Sequence, residues 1–217
     1  QGLSVKYLEK LIRELKAADG FSEPVTVYLR EGRHQLSRPF ILTEEDGGTK
    51  AAPITYAAYP GEKPVVSGGK EITGVWERYR GEIMMTTVTE VKYGGWYFRQ
   101  LFVNGERKLR ARDPNEGDFW VADAFGERER QKFKFHGDDI KRYENLDDVN
   151  IYIYHSWDAV RLFIDKLDEV QNTVLFTAPS NHWFDRWGLA RYFVENALEV
   201  LDTPGEWYLN RNTGRLY

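Results

Sequence analysis

After one amphipathic stretch near its start, the chain never again sustains a helical repeat. Short runs of alternating apolar and polar residues, broken by Gly, Pro or Asp, carry on to the end. Such a pattern leaves architectures in which many short strands stack or pair. The stretch itself places Ser4 as a cap before Val5, Leu8, Leu11, Ile12 and Leu15, one apolar stripe of helical spacing, with Gly20 as its stop. From Val25 the period changes to two. Val25, Val27 and Leu29 alternate with Thr26, Tyr28 and Arg30, and Glu31-Gly32 ends the strand. Further strands are expected at Phe40-Ile41-Leu42, Ile54-Thr55-Tyr56-Ala57 and Val65-Val66.

The step from Val25 to Ile54 is one coil of a solenoid plus a loop. A helix followed by a ladder of short strands is how a parallel β-helix begins, because the first coil would otherwise expose its apolar end. Residues 1–70 are therefore expected to form a capping helix and the first β-helix coil. Solenoid repeats bury their core by stacking, and roughly three or more are needed for stability. More coils are accordingly expected after Tyr217.

Residues 71–217 read as an antiparallel β-sandwich. Asn104-Gly105, between segments at 98–102 and 108–112, is a strong short-range hairpin signal. Further strands are expected at Ile151–Tyr154, Val160–Ile164, Thr173–Thr177, Tyr192–Val194, Trp207–Leu209 and Arg215–Tyr217, with no long helix between them.

Composition narrows the function. Thirty basic against thirty-four acidic residues give a net charge of -4, and no basic run is interleaved with aromatics, so nucleic acid is not an expected partner. No segment approaches the ~18–20 apolar residues of a membrane span, and the first residues form neither a basic nor an apolar signal region, so no membrane partner is expected. There is no cysteine, which removes disulfides, thiolate metal sites and cysteine nucleophiles. His34, His136, His155 and His182 stand alone without metal-ligand spacing, and no GxSxG, GxGxxG or P-loop occurs. No metal or cofactor is expected.

Among the acids, Glu44-Glu45-Asp46, Asp138-Asp139 and Asp147-Asp148 read as solvated turns, and Glu195 as a buried acid bonding backbone or arginine, ahead of any catalytic role. No catalytic residue is assigned. Arg99, Arg107, Arg110 and Arg112 flank the Asn-Gly hairpin. Alternation puts Arg110 and Arg112 on one strand face, where they either pair with acids such as Asp113 and Glu116, the favoured reading, or bind a uronic-acid carboxylate. Seven Trp, thirteen Tyr and twelve Phe exceed what a small core requires, so some rings are expected to face sugars. Trp183 and Trp187, in the irregular segment 181–188, read equally as sugar or interdomain contacts and as core; Trp157, beside His155, is a weaker candidate. Trp207 reads as an anchor of the sandwich.

Several longer motifs carry a resemblance. Glu62-Lys63-Pro64-Val65-Val66-Ser67-Gly68-Gly69, after Pro53–Tyr56, resembles the opening coil of carbohydrate-active right-handed β-helix proteins. Arg99-Gln100-Leu101-Phe102-Val103-Asn104-Gly105 with Arg110-Ala111-Arg112, Val194-Glu195-Asn196-Ala197, and Leu201–Leu209 with its Pro204-Gly205-Glu206-Trp207 core are similar to signatures of the group around glycoside hydrolase family 141. A weaker architectural likeness is to family 120. The resemblance covers nearly the whole chain. It implies a first coil interrupted by a β-sandwich insert, after which the β-helix resumes with the catalytic carboxylates. By that likeness the chain is the amino-terminal part of a secreted polysaccharide-degrading glycoside hydrolase, extracellular or periplasmic. Its expected partners are a carbohydrate and the remainder of its own β-helix, and the catalytic acids lie outside Gln1–Tyr217. The alternatives are a non-catalytic carbohydrate-binding or structural module, and a fragment of a polysaccharide lyase, which would need Ca²⁺ or an Arg or Lys base.

Overall fold

In a computed structural model the described residues are 7–126 and 128–217. The chain divides into two compact units, Gln1–Ile72 and Thr73–Tyr217.

In the first unit, helix α1 (Leu8–Asp19) ends where Gly20 turns left-handed at φ 69° and returns its N–H to the Lys16 carbonyl. Ser4 and Val5 lie outside the described residues. Leu8 and Ile12 are buried, whereas Leu15, expected on the same stripe, is 45% exposed. The helix is tied to the chain by polar contacts. Arg13 donates two hydrogen bonds of 2.7 Å to the buried Asp46 carboxylate, and Lys16 Nζ donates to the Glu45 and Gly47 carbonyls. Four strands follow: β1 (Val25–Leu29), β2 (Gly32–Gln35), β3 (Ile54–Ala58) and β4 (Pro64–Ser67). They pair in parallel as two separate ladders, β1 with β3 in the register Val25↔Ile54 and β2 with β4 in the register Gly32↔Pro64. The expected strand at Phe40-Ile41-Leu42 does not form. Pro39 removes a ladder donor just before it, and the segment instead packs the Phe40 ring edge-on against Tyr56 at 5.6 Å, leaving Ile41 and Leu42 exposed. Strand β2 has no apolar alternation to announce it and exists through its parallel partner.

The second unit is mainly β. Its strands are β5 (Glu77–Arg80), β6 (Ile83–Thr87), β7 (Leu101–Val103), β8 (Glu106–Arg110), β9 (Arg112–Asp113), β10 (Phe119–Trp120), β11 (Lys132–Lys134), β12 (Asn150–Tyr154), β13 (Ala159–Asp168), β14 (Thr173–Phe176), β15 (Arg191–Glu195), β16 (Glu206–Trp207) and β17 (Arg215–Leu216). A single turn of helix, α2 (Thr89–Lys92), follows β6. The seven-stranded sheet runs β10-β15-β12-β13-β14-β11, with β9 also on β15. It is a β-sandwich made from one folded sheet. The first half of β13 pairs with β12, a bulge falls between Ile164 and Lys166, and the second half pairs with β14. A bulged strand that changes partner in this way turns the corner between two layers.

The open side is stitched as well. Ala122 N–H donates to the Lys134 carbonyl at 2.7 Å, and Lys134 N–H donates to that of Asp123 at 2.8 Å, joining the β10 edge to β11. Between the layers Ile151, Ile153, Tyr192 and Val194 meet Phe133, Val174, Phe176 and Phe184, all fully buried. Phe133 touches the rings of Phe176, Phe184 and Tyr192 at centroid distances of 4.9–5.4 Å.

The Asn104-Gly105 hairpin forms as β7–β8. Both turn residues have positive φ, 53° and 84°, as a two-residue turn of this type requires. One pairing departs from the antiparallel expectation: β16 runs parallel to β8. Most of the sandwich lies between these two strands in sequence, so no hairpin fixes their relative direction.

Candidate functional site

The motifs between β8 and β16 converge on one charged knot. Arg110 ends β8, buried to 7% exposure. Its Nη1 donates to Glu195 Oε1 at 3.2 Å and to Asn150 Oδ1 at 3.3 Å, and its Nη2 donates to the Tyr97 hydroxyl at 2.5 Å. Arg161, on β13, donates through Nε to the same Glu195 oxygen. Glu195 is thus held between two guanidiniums, and Arg110 has no nitrogen facing open solvent for a ligand. Its partners are also not the acids expected from proximity in sequence. Arg112 reaches neither Asp113 nor Glu116 for its contacts. It donates to the Pro114 and Gly117 carbonyls, approaches Asp118 at 3.6 Å, and lies 3.8 Å over the Phe193 ring.

The remaining motif residues hold the same junction. Asn196, at φ 67°, donates to the Asp148 carbonyl and accepts from Leu209 N–H, while its own N–H bonds the Ala111 carbonyl. Glu206 accepts from the backbone of Arg112 and of Thr203. Trp207 is buried, stacks on Phe98 at 5.5 Å and donates from its indole to the Lys108 carbonyl. Asp148, from one of the acidic pairs read as solvated, is also buried. It is paired with Arg211 at 2.5 Å, and its pKa is raised because burial outweighs that partner. Asp46, in the first unit, is the other acid of those clusters found buried, on Arg13.

In front of this knot a cleft of about 660 Å³ is lined by Tyr97, Phe98, Arg99, Gln100, Arg107 and Arg161. A second feature lies on the loops at 155–158 and 180–189. Trp157 and Trp187 meet at a centroid distance of 3.9 Å and are 69% and 41% exposed. Arg186 sits 4.6 Å over Trp183 and 4.3 Å over Trp187, and contacts His182 Nδ1 at 2.8 Å. His155, bonded to Ser180 Oγ, is held below the ordinary histidine pKa, chiefly by burial. The two surface tryptophans and Arg186 form an aromatic shelf, with Trp183 half-buried at its back. No group of acids and histidines among the described residues has metal-binding geometry. No described helix is long and apolar enough to cross a membrane.

Residues 81–217 match the model of the GH141 insertion domain. The chain belongs to that family. The signatures at 99–112, 194–197 and 201–209 fall inside the GH141 insertion domain, and they build the Arg110–Glu195 junction. A solved structure named "Glycoside hydrolase" matches with a TM-score of 0.79 over 100% of this chain, at 22% identity, a likeness of fold. The chain spans 39% of that protein's length. No curated protein matches it.

The cleft was the feature that spacing alone did not reveal. Arg99 and Arg107 were visible beside the hairpin, but Arg161 comes from a strand more than fifty residues away. Only the pairing β15–β12–β13 brings it there.

Proposed function

We propose that the chain is the amino-terminal part of a glycoside hydrolase that degrades polysaccharide outside the cytoplasm. In this reading α1 caps, and β1–β4 form, the first coil of a right-handed parallel β-helix. The second unit is the sandwich insert and supplies one wall of the glycan cleft. The carboxylates that act on the glycosidic bond are contributed by sequence outside Gln1–Tyr217. The observation that carries the reading is the GH141 insertion-domain match over residues 81–217. Two features support its finer parts. The parallel registers Val25↔Ile54 and Gly32↔Pro64 are those of one chain turn stacked on the next. Glu195, the acid that the sequence sets apart, is committed to structure on Arg110 and Arg161, and Asp148, expected to be solvated, is committed to Arg211.

The carbohydrate contact of the insert is the shelf of Trp157 and Trp187 with Trp183 and Arg186, since exposed rings of this size stack on pyranose faces. The test has two arms. The isolated chain, incubated with plant cell-wall polysaccharides, should release no reducing ends; turnover would mean that acids in this chain are catalytic. Affinity electrophoresis through neutral cell-wall polysaccharides should show retardation that Trp157→Ala with Trp187→Ala abolishes. Unchanged retardation in that variant would leave the shelf as packing.

A further inference from the structure

We infer that the cleft in front of the Arg110–Glu195 knot is a subsite for a carboxylate-bearing sugar, a uronic acid residue of the glycan. The sugar part of this assignment rests on the carbohydrate reading above; the anionic part rests on the charges themselves. Arg99, Arg107 and Arg161 line the cleft, with Arg110 behind them and Arg211 over the Tyr97 ring, five guanidiniums against two buried carboxylates, that of Asp148, which Arg211 takes, and that of Glu195. Arg110 and Arg161 share that carboxylate. Arg99 and Arg107 are exposed and have no acid or hydrogen-bond acceptor among the described residues. The chain as a whole is acidic, at -4, so this excess of positive charge is local and opposes the net charge of the chain. Converging like charges at a concave surface cost free energy unless an anion occupies it, and such a cleft focuses its field on an incoming anion.

The structure also shows which anion suits the cluster, because Glu195 is a planar carboxylate already seated between two of these guanidiniums. Planar forked donors match a carboxylate in two parallel hydrogen bonds. A second carboxylate, brought by a ligand, would meet Arg99, Arg107 and the outward side of Arg161, which remains a quarter exposed at its side chain. Tyr97 and Phe98 supply ring surface beside it for the apolar face of the same sugar. The cleft holds a few hundred cubic ångströms, enough for one or two sugar residues. The guanidiniums that do this are Arg99, Arg107 and Arg161, rather than the Arg110 and Arg112 pair expected from strand alternation. Arg110 is the buried post that holds Glu195, and through it Arg161, in place.

The experiment is calorimetric titration of the whole chain with four probes: an oligogalacturonate, a neutral xylo-oligosaccharide, a sulfated oligosaccharide of similar length, and poly-L-glutamate. Oligogalacturonate should bind, weaken as salt is raised, and lose about tenfold or more in affinity in the Arg99→Ala, Arg107→Ala double variant. Both side chains are exposed, so the fold should persist, and an unchanged melting curve verifies it. Any xylo-oligosaccharide binding should survive that variant and fail in Trp157→Ala with Trp187→Ala. The subsite is wrong if oligogalacturonate does not bind, if the double variant binds it normally, if only the sulfated probe binds, or if poly-L-glutamate binds as tightly. Neutral binding without uronate binding removes the subsite and leaves the carbohydrate reading. Arginine-dependent binding of poly-L-glutamate with no glycan bound removes the carbohydrate reading itself.

Discussion

The two units are built from strands of similar length and reach opposite outcomes. Among the described residues of the first, the buried apolar side chains are Leu8, Ile12 and Ala52, while Tyr28, Ile41, Leu42, Tyr59, Val65 and Val66 stay exposed. The second closes a sheet over a continuous core, from Met85 to Tyr217, and joins that sheet's edges through Lys134. The first has four strands and the second thirteen among the described residues, but number alone does not seal a core. Closure does, because a ladder of two parallel strands has two open sides, and a sheet folded at a bulge and sewn at its edge has almost none. The sandwich is thus expected to fold from its own contacts, and the coil to depend on what stacks against it.

The largest expected effect tests the closed core. Phe133→Ala removes a ring that touches three others and should cost about 4 kcal/mol, collapsing the sandwich transition in a chemical melt while leaving the coil's signal in place. If both signals shifted together, the units would not be separate cooperative blocks. Next comes the charged knot. Glu195→Ala leaves Arg110 buried without its carboxylate and should cost about 3 kcal/mol, less than the upper range because Arg161 is partly solvated. A cost near zero would mean that Arg110 can find water, and that the knot does not hold the β8–β15–β16 junction.

The smallest effect is in pH, and it has opposite signs in the two units. Asp46 lies below the ordinary carboxylate range, first because of the Arg13 hydrogen bonds and then because of Thr43 N–H. Its contribution is present above about pH 4 and is lost as pH falls further, toward its own lowered pKa. Asp113, Asp148 and Glu206 are raised, each chiefly by burial. Their contribution is present below about pH 4 and is lost as pH rises through their raised values. His155, held below the ordinary histidine value by burial, opposes this as pH falls, so the comparison is made in a His155→Gln background, where moving from pH 7 to pH 4 should stabilise the sandwich slightly and leave the coil nearly unchanged. Further acidification should loosen the coil through Asp46 and Glu62, both held low by an arginine, and Asp46→Asn should remove the larger part of that last step. Parallel acid profiles for the two units would break the comparison.

Much of this was legible in the sequence where the cause is local. The β1–β3 register, the Asn104-Gly105 turn, and strands β12 to β15 follow from alternation and turn chemistry, and Gly20 stops α1 as its spacing requires. What escaped has non-local causes. β2, β5, β10 and β11 are short or polar, and they are strands because of a partner distant in sequence. Phe40–Leu42 looked like a strand and is not, because Pro39 and the pull of Tyr56 outweigh propensity. Sequence proximity points Arg110 and Arg112 to Asp113 and Glu116, and neither pairing forms. Glu195 is 85 residues from Arg110, and only the folded sheet brings the two together. Trp157 and Trp187 lie thirty residues apart in sequence, and their contact at 3.9 Å needs the two loops to meet.

Residue-resolved amide hydrogen exchange on the whole chain tests the contrast most directly. The account predicts that the amides of Ile151, Ile153, Tyr192 and Val194 exchange only with global unfolding of the sandwich. Those of Val27, Leu29, Thr55 and Ala57, which donate into the β1–β3 ladder, should open orders of magnitude faster and lose protection at lower denaturant, in a separate transition. Equal protection across both sets, lost in one common transition, would contradict it.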